Sequence, residues 1–153
     1  MTGVQTCALP ISLTSEQQHI SAAVEWLLSG DAGQRALVAW HLGWGPAVDT
    51  SGRDWLAPYL AELLKDPYAV VRLIASRSLR RLPGFEDFSY DYIGPEADRH
   101  RARESALELW GASRKPVTQA RPAVLLNSSG AVDQEKFSSL LLRRNQRPLE
   151  LLE

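Results

Sequence analysis

The stretch that most constrains the fold runs from Asp66 to Leu82 and reads DPYAVVRLIASRSLRRL. Asp66 can accept hydrogen bonds from the free backbone amides at a helix start, and Pro67 suits the first helical position because no amide hydrogen is needed there. The positions at helical spacing form one mostly apolar stripe, made of Val71, Ile74, Ala75, Ser78, Leu79 and Leu82. The pattern predicts a helix that begins at Pro67, ends before Pro83, and packs its stripe against another helix.

The covering helix is expected just upstream, in the segment WLAPYLAELLK that follows Asp54. Its leucines share one helical face, at Leu56, Leu60, Leu63 and Leu64. Pro58 falls in or near the first turn, where the hydrogen bond that it cannot donate costs little. A short Lys-Asp-Pro turn joins the two helices, so the sequence predicts an antiparallel helical hairpin.

This hairpin resembles a HEAT repeat. The residues that carry the resemblance are Leu60, Leu63, Leu64, Asp66, Pro67, Val71, Arg72, Ala75, Leu79 and Leu82. The resemblance implies an α-α solenoid, in which hairpins of this kind stack side by side. It also implies that Asp66, Pro67 and Arg72 are structural repeat positions, with the Asp and the Arg tying neighbouring turns together.

An earlier, degenerate copy of the hairpin precedes it. Ser15 with Gln18 predicts one capping box, and Asp31 with Gln34 predicts a second at the start of the return helix. Equivalent residues lie 37 positions apart in the pairs Leu27 and Leu64, Arg35 and Arg72, and Leu42 and Leu79. Self-similarity at one period is typical of stacked helical pairs, so we expect two repeats.

The segments around the two hairpins are interpreted from their composition. Residues 45–52 (GPAVDTSG) have the composition of a loop. Pro95 begins a predicted third helix that covers the open end of the stack, as solenoids require. Residues 113–122 are predicted to be a linker. Residues 123–153 are predicted to form a small β-α-β tail with strands at 124–126 and 148–152, which should dock on the helical stack or on an upstream domain.

Residues 1–12, MTGVQTCALPIS, resemble the translation of a common sequencing-library adapter. A disordered tail or a signal peptide are the alternatives, but the segment lacks a basic start and Pro10 interrupts its short apolar run. We interpret residues 1–12 as an adapter artefact, which would make Cys7, the single cysteine, non-native. The native gene is then expected to begin upstream, so that this chain is the C-terminal fragment of a larger bacterial protein of undetermined compartment.

The fold class predicted from these patterns is all-α over residues 13–112: a HEAT-like α-α solenoid of two hairpins plus a capping helix, followed by a small C-terminal αβ tail. No catalytic pattern interrupts it. His19, His41 and His100 are far apart, and none has a second metal ligand at helical spacing. No phosphate-binding glycine loop or nucleophile motif is present, so we predict no enzyme activity, no cofactor and no metal. The chain has 17 basic and 18 acidic residues and no apolar run long enough to span a bilayer, so neither nucleic acid binding nor a membrane span is expected.

The candidates for a binding surface are Trp40, His41, Trp44, Arg77, Arg81, Phe88 and Tyr90. Large amphipathic rings are favoured interface anchors, although we prefer the interpretation that the tryptophans fill gaps between short helices. Arginines on the second and third helices could form a basic strip, but solvated helix faces are the preferred interpretation. The rings of residues 84–94 are interpreted as plugs at the end of the stack rather than as a ligand-facing loop.

The function that these patterns favour is a non-enzymatic scaffold or protein–protein interaction module, whose partner is another protein or an upstream domain of the same chain. As an alternative, the runs DPYAVVRLIASRSLRRLPGF and VLLNSSGAVDQEKFSSLLLRRNQRP are similar to C-terminal regions of bacterial multihaem cytochrome-like proteins. That resemblance implies extracytoplasmic electron transfer, with haem bound upstream because no C-x-x-C-H occurs here. A nucleic-acid enzyme built on HEAT-like repeats is a third option.

Overall fold

The computed structural model describes residues 14–15, 18–113 and 119–148, and within them every regular element is helical. The α-helices of these residues are α1 (Ala22–Ser29), α2 (Ala32–His41), α3 (Gly45–Ser51), α4 (Leu56–Leu63), α5 (Ala69–Leu79), α6 (Glu96–Ser113) and α7 (Gln134–Leu142). A short 3-10 helix, Pro122–Val124, precedes α7. The prediction of an all-helical fold is confirmed for the described residues. Residues 1–12, which were interpreted as an adapter artefact, lie outside them.

Helices α1 and α2 pack against each other and form the first hairpin. Only Gly30 and Asp31 lie between them. The Asp31 carboxylate accepts a hydrogen bond from the Gln34 backbone amide at 2.9 Å, and the Gln34 side chain accepts one from the Asp31 amide at 3.0 Å. The capping box predicted at the start of α2 is therefore confirmed, and it fixes the direction in which the chain returns.

The capping box predicted at Ser15 is wrong, because α1 begins only at Ala22. The Ser21 hydroxyl caps the helix instead, accepting a hydrogen bond from the backbone amide of Val24 at 3.3 Å. The Ser21 amide is in turn held by the Ala123 carbonyl at 2.8 Å. The helix start therefore combines a local cap, the Ser21 hydroxyl, with a hydrogen bond to a distant segment.

Helices α4 and α5 form the second hairpin, and α5 begins at Ala69 rather than at Pro67 as predicted. The Asp66 carboxylate accepts a hydrogen bond from the Tyr68 amide at 3.0 Å. This bond forms a tight turn across Pro67, so the first helical residue comes two positions later than the sequence pattern indicates.

Residues 45–52 were predicted to be a loop, but Gly45–Ser51 forms helix α3. Pro46 lies in its first turn, where proline is tolerated, and Val48 is buried. Gly52 ends the helix with a φ of 82°, a conformation that glycine adopts without strain. The burial of Val48 and the end of the helix at Gly52 therefore stabilise a helix in a stretch whose composition is typical of a loop.

Helix α4 lies at the centre of the molecule, and all eight of its residues are buried. It packs against α5 and α6, and the C-terminal segment covers a further side. On that side the Tyr59 hydroxyl donates a hydrogen bond to the Val124 carbonyl at 2.7 Å, and the Tyr59 ring lies 5.5 Å from that of Phe137. Glu62 is the one charged residue of α4, and Arg103 of α6 binds its carboxylate at 2.7 Å.

The two hairpins join where α2 packs against α5. The two hairpins come close at Gly43, just after α2, where an added Cβ atom would lie 2.8 Å from the Cα atom of Ser78. Only glycine fits there without displacing the backbone of α5. Pro95 immediately precedes α6, as predicted, and α6 covers α4 with Ala106 as its single buried residue.

The strand predicted at 124–126 is wrong. Leu125 has a positive φ of 53°, which breaks the extended conformation, and the segment forms a 3-10 turn with only isolated bridges from Arg121 and Val132 to Leu126. All three side chains at 124–126 are buried, so the apolar run that suggested a strand packs instead against the helices. The helix predicted after Asp133 is confirmed as α7, which packs on α1. The second predicted strand, at 148–152, lies outside the described residues except for Pro148.

The predicted linker at 113–122 is only partly described, because residues 114–118 are not. Its C-terminal end is anchored: the Arg121 guanidinium pairs with Asp54 at 3.0 Å and donates to the Ser51 carbonyl at 2.8 Å. Among the described helices, none combines the length and apolar character needed to cross a membrane.

Candidate partner-binding surface

An ionic centre joins the two hairpins at Asp66, whose side chain is fully buried. Arg35 of α2 binds both carboxylate oxygens, with Nε 2.7 Å from Oδ2 and Nη2 3.2 Å from Oδ1. The Nη1 atom of Arg35 donates to the carbonyls of Gly30 and Asn145, at 2.7 and 3.1 Å. Such a two-pronged pair suits a buried position because the planar guanidinium matches the carboxylate geometry.

Arg72 occupies the position 37 residues after Arg35 and makes an equivalent contact. Its Nη1 atom donates to the Pro67 carbonyl at 2.8 Å, five residues upstream, as Arg35 does to Gly30. It also binds the Asp66 carbonyl, and its Nε donates to the Tyr92 carbonyl at 2.7 Å. Asp66, Pro67 and Arg72 thus lie within the protein framework, where their polar groups bind other parts of the same chain.

A third charged residue of this centre, Arg144, was not identified from the sequence. Its Nη1 atom lies 3.6 Å from Asp66 Oδ2, and its Nε donates to the Leu28 carbonyl at 2.9 Å. Burial lowers the pKa of Arg144, and the Asp66 carboxylate opposes that shift. Nothing in the local sequence indicates this role, because Arg144 reaches Asp66 only after α7 has packed on α1.

The tryptophan cluster (Trp40, His41 and Trp44) lies at the end of α2. The rings of Trp40 and Trp44 stack at 6.0 Å with an interplanar angle of 15°, and the His41 ring is perpendicular to both. Side-chain exposure is 48% for Trp40 and 44% for Trp44. The preferred gap-filling interpretation does not describe these two rings, whereas Trp55, only 4% exposed, does fill the interior.

The predicted arginines lie on the neighbouring helix. Arg81, just beyond α5, donates from Nη1 to the carbonyl of Gly43, the residue before Trp44, at 3.1 Å. Arg77 is exposed on α5. On α6, Arg101 pairs with Asp98 and Arg103 with the buried Glu62, so these two charges are already partnered and do not extend a basic strip.

The structure does not bring Phe88 and Tyr90 to the tryptophan cluster. Both are partly buried against the core, and the Tyr90 hydroxyl donates to the Leu64 carbonyl at the end of α4. Burial raises the pKa of Tyr90, and the nearby charge of Arg72 opposes that shift. The Phe88 ring lies 6.1 Å from the buried ring of Phe85. These contacts agree with the preferred interpretation, in which the rings of residues 84–94 pack against the stack.

An apolar groove of about 370 Å³ adjoins the tryptophan cluster, since His41 belongs to both. Residues that line it include Ala22, Ala23, Trp26, Leu37, His41 and Trp55. Trp26 and Leu37 are 43% and 51% exposed, and the sequence analysis identified neither of them as a surface residue. A helical wheel could have singled out Leu37, because it lies outside the stripe that contains Val38 and Leu42. We call this feature the end groove.

A second cavity, of about 350 Å³, lies between α4, the end of α6 and the 126–130 turn, with Asp54, Phe85 and Trp110 among its lining residues. The described residues contain no group of three or more His, Cys, Asp or Glu side chains placed to hold a metal ion. No protein-family model, curated protein or solved structure matches the chain. The HEAT-repeat and cytochrome-like resemblances therefore stay predictions.

Proposed function

We propose that this chain is a HEAT-like helical-repeat scaffold that binds a partner protein through Trp40, Trp44 and Arg81. The repeat arrangement is supported by two hairpins in which arginines 37 residues apart bind the carbonyl five residues upstream. It is further supported by the ion pair between Arg35 and Asp66, which crosses from one hairpin to the next. In this arrangement α6 is the capping helix of the stack.

The observation that carries the binding role is the stacked, half-exposed pair of Trp40 and Trp44. Tryptophan and arginine are the residues that most often dominate binding energy at protein interfaces. Stacking holds the two indoles in one orientation, so little side-chain freedom remains to be lost on binding. Arg81 adds a guanidinium that the Gly43 carbonyl already orients.

These side chains favour one chemistry of partner, a protein segment that combines a large apolar side chain with a carboxylate. The indole faces would receive the apolar side chain, and the remaining donors of the Arg81 guanidinium would bind the carboxylate. Binding is the role that these three side chains support, because none of Trp40, Trp44 and Arg81 offers a nucleophile or a general base at neutral pH.

The test is selection of binders from a library of displayed random peptides, followed by affinity measurements on variants of the chain. We expect selected peptides to be rich in aromatic and acidic residues. Trp44→Ala is expected to weaken them by about 30-fold or more, as removal of a hot-spot residue does. The matched control is Leu109→Ala on α6, which removes a side chain of similar exposure, 43%, far along the chain from the cluster.

Arg81 has its own matched control in Arg80, the neighbouring exposed arginine. We expect Arg81→Gln to weaken acidic peptides and to reduce the salt dependence of binding, while Arg80→Gln changes both less. Peptides that bind equally well to the wild type and to Trp40→Ala, Trp44→Ala and Arg81→Gln would refute this location for the binding surface.

A further inference from the structure

We propose that the cavity between α4, the end of α6 and the 126–130 turn is a binding site for a small aromatic carboxylate, whose charge binds Arg53. We call this feature the α6 cavity. Its volume is about 350 Å³, and segments from α4, α6 and the turns after α5 and before α7 line it. The proposal rests neither on the repeat arrangement nor on the partner-binding role of Trp40, Trp44 and Arg81.

The base of the α6 cavity is apolar and lies inside the fold. Four residues that line the cavity are each no more than 3% exposed, namely Ala57, Leu82, Phe85 and Leu126. Protein interiors contain few voids larger than a water molecule, whereas this volume falls in the range of about 300–1,000 Å³ that ligand pockets occupy. An apolar group that enters the cavity therefore leaves water and gains contacts with a ready-made apolar base.

Hydrogen bonds between distant segments hold the walls of the α6 cavity in place. The Trp110 indole of α6 donates from Nε1 to the Asp54 carbonyl, two residues before α4, at 3.0 Å. The Arg121 guanidinium donates to both carboxylate oxygens of Asp54, at 3.0 and 3.3 Å, and to the Ser51 carbonyl at 2.8 Å. A ligand would therefore enter a site whose shape is already set, and little conformational freedom would be lost on binding.

The charged residues that line the cavity, Arg53 and Asp54, determine which polar group a ligand can carry. The Asp54 carboxylate is neutralised and fixed by Arg121. Arg53 is paired with Asp49 through Nη2 at 2.9 Å, but the two side chains are 57% and 68% exposed. So exposed a pair contributes little to stability, and the guanidinium can exchange Asp49 for a ligand. Because a carboxylate matches the planar guanidinium, the cavity favours a ligand with a carboxylate.

The aromatic part of the lining favours a flat ring as the apolar body of the ligand. Phe85 and Trp110 both line the cavity. An aromatic ring gains more from edge-to-face or offset contacts with other rings than its buried area alone provides. The chemical class that combines such a ring with a carboxylate is a small aromatic acid.

The test is calorimetric titration of the full chain with β-naphthoate and with its neutral analogue, β-naphthamide. We expect the naphthoate to bind at least about tenfold tighter than the amide, because only the carboxylate forms a charge-assisted pair with Arg53. Arg53→Gln should remove this preference. The matched control, Arg80→Gln, changes an exposed arginine outside the lining of the cavity and should keep it. Octanoate, which has the charge but no ring, should bind more weakly than the naphthoate.

A second pair of variants locates the bound ligand. Ser113 lines the cavity at the exposed end of α6, so Ser113→Trp should block the cavity and abolish binding of both naphthyl ligands. Its matched control is Ala112→Trp, at the exposed neighbouring position, which should leave binding unchanged. Because both positions are exposed, circular dichroism should show the wild-type helix content for each variant.

Equal affinity of β-naphthoate for the wild type, Arg53→Gln and Ser113→Trp, or no binding to the wild type at millimolar concentration, would overturn the proposal. Tighter binding of octanoate than of β-naphthoate would overturn it as well. Trp44→Ala should leave naphthoate binding unchanged. A loss in Trp44→Ala without a loss in Ser113→Trp would place the ligand on the tryptophan cluster and refute the α6 cavity as its site. None of these results decides the peptide-binding test of Trp44 and Arg81, so the two proposals fail separately.

Discussion

Helix α4 of the second hairpin and helix α2 of the first differ in how far their apolar residues are buried. Every residue of α4 in the second hairpin is buried, beneath α5, α6 and the C-terminal segment. The first hairpin exposes Trp26, Leu37 and Trp40, and Trp44 just after α2 is exposed as well, each by more than two fifths of its surface. The second hairpin exposes Val70 of α5, by 53%. The comparison shows that neighbouring elements, more than the helices' own sequences, decide which apolar residues become core and which remain available for binding.

The largest expected effect is at Asp66, where the two hairpins meet. Asp66→Asn removes the carboxylate that partners Arg35 and Arg144, leaving two buried guanidinium groups without a counter-charge. We expect the free energy of unfolding to fall by about 3–5 kcal/mol, as is typical when one partner of a buried ion pair is removed. Urea unfolding followed by circular dichroism measures this loss.

The matched control for Asp66→Asn is Asp49→Asn, which removes an exposed carboxylate paired with Arg53 at 2.9 Å. An exposed pair of this kind contributes at most about 1 kcal/mol, so the control should lose little stability. Equal losses for the two variants would mean that the ionic centre does not hold the hairpins together.

The next largest effect is expected at Leu60 in the second hairpin. Leu60 of α4 is fully buried, and Leu60→Ala leaves a cavity in a packed core, so we expect a loss of about 2–5 kcal/mol in the free energy of unfolding. The same urea experiment measures it. A loss below about 1 kcal/mol would contradict the close packing of α4.

Tyr59 tests the attachment of the C-terminal segment to α4. Tyr59→Phe removes the hydrogen bond to the Val124 carbonyl and leaves that buried acceptor unsatisfied, which should cost about 1–3 kcal/mol. The control, Tyr68→Phe, removes an exposed hydrogen bond to the Arg147 carbonyl and should cost less. Urea unfolding of both variants at neutral pH decides between these expectations.

Because Tyr59 is buried, we also expect the free energy of unfolding to depend on pH. Burial, with a smaller contribution from the Asp133 charge, raises the pKa of Tyr59 above its ordinary value. In the unfolded chain the phenol ionises near pH 10. The contribution of the buried, protonated phenol to the free energy of unfolding is therefore fully present below about pH 10 and is lost as the pH rises above it. Urea unfolding from neutral to strongly alkaline pH should show a steeper loss for the wild type than for Tyr59→Phe. Identical slopes would contradict the burial of this phenol.

The smallest effect is expected at Leu37 in the first hairpin, which is compared with Leu60 in the second. Leu37→Ala removes a half-exposed side chain from the end groove and should change the free energy of unfolding by no more than about 0.5 kcal/mol. The difference between the losses in the free energy of unfolding for Leu60→Ala and Leu37→Ala measures how much more deeply α4 is buried than this side of α2. A Leu37→Ala loss as large as that of Leu60→Ala would show that Leu37 is covered in solution.

Much of the helical pattern could be predicted because its signals are local. The Asp31–Gln34 capping box, the helix after Pro95 and the helix after Asp133 all follow from residues within a few positions of each other. The errors occurred where a distant contact overrides a local signal. Buried Val48 stabilises α3 in a stretch of loop-like composition, and the apolar run at 124–126 packs against helices as a turn.

The candidate surface was predictable only in part, for the same reason. The sequence singled out Trp40, Trp44 and Arg81, but only the packing of α2 on α5 places Arg81 against the Gly43 carbonyl. It did not identify Leu37 and Trp26, because leucine and tryptophan are ordinary core residues unless the neighbours that would cover them are absent from the fold.

By itself, the sequence determined the helical periodicity and the caps at Asp31 and Asp133, because each depends on chemistry along a single helix or turn. The tertiary structure alone decided that Arg35 and Arg144 share the carboxylate of Asp66, and that α4 is enclosed while Trp40 and Trp44 stay half exposed. Burial and charge pairing depend on which surfaces meet, and that is settled only when the helices pack.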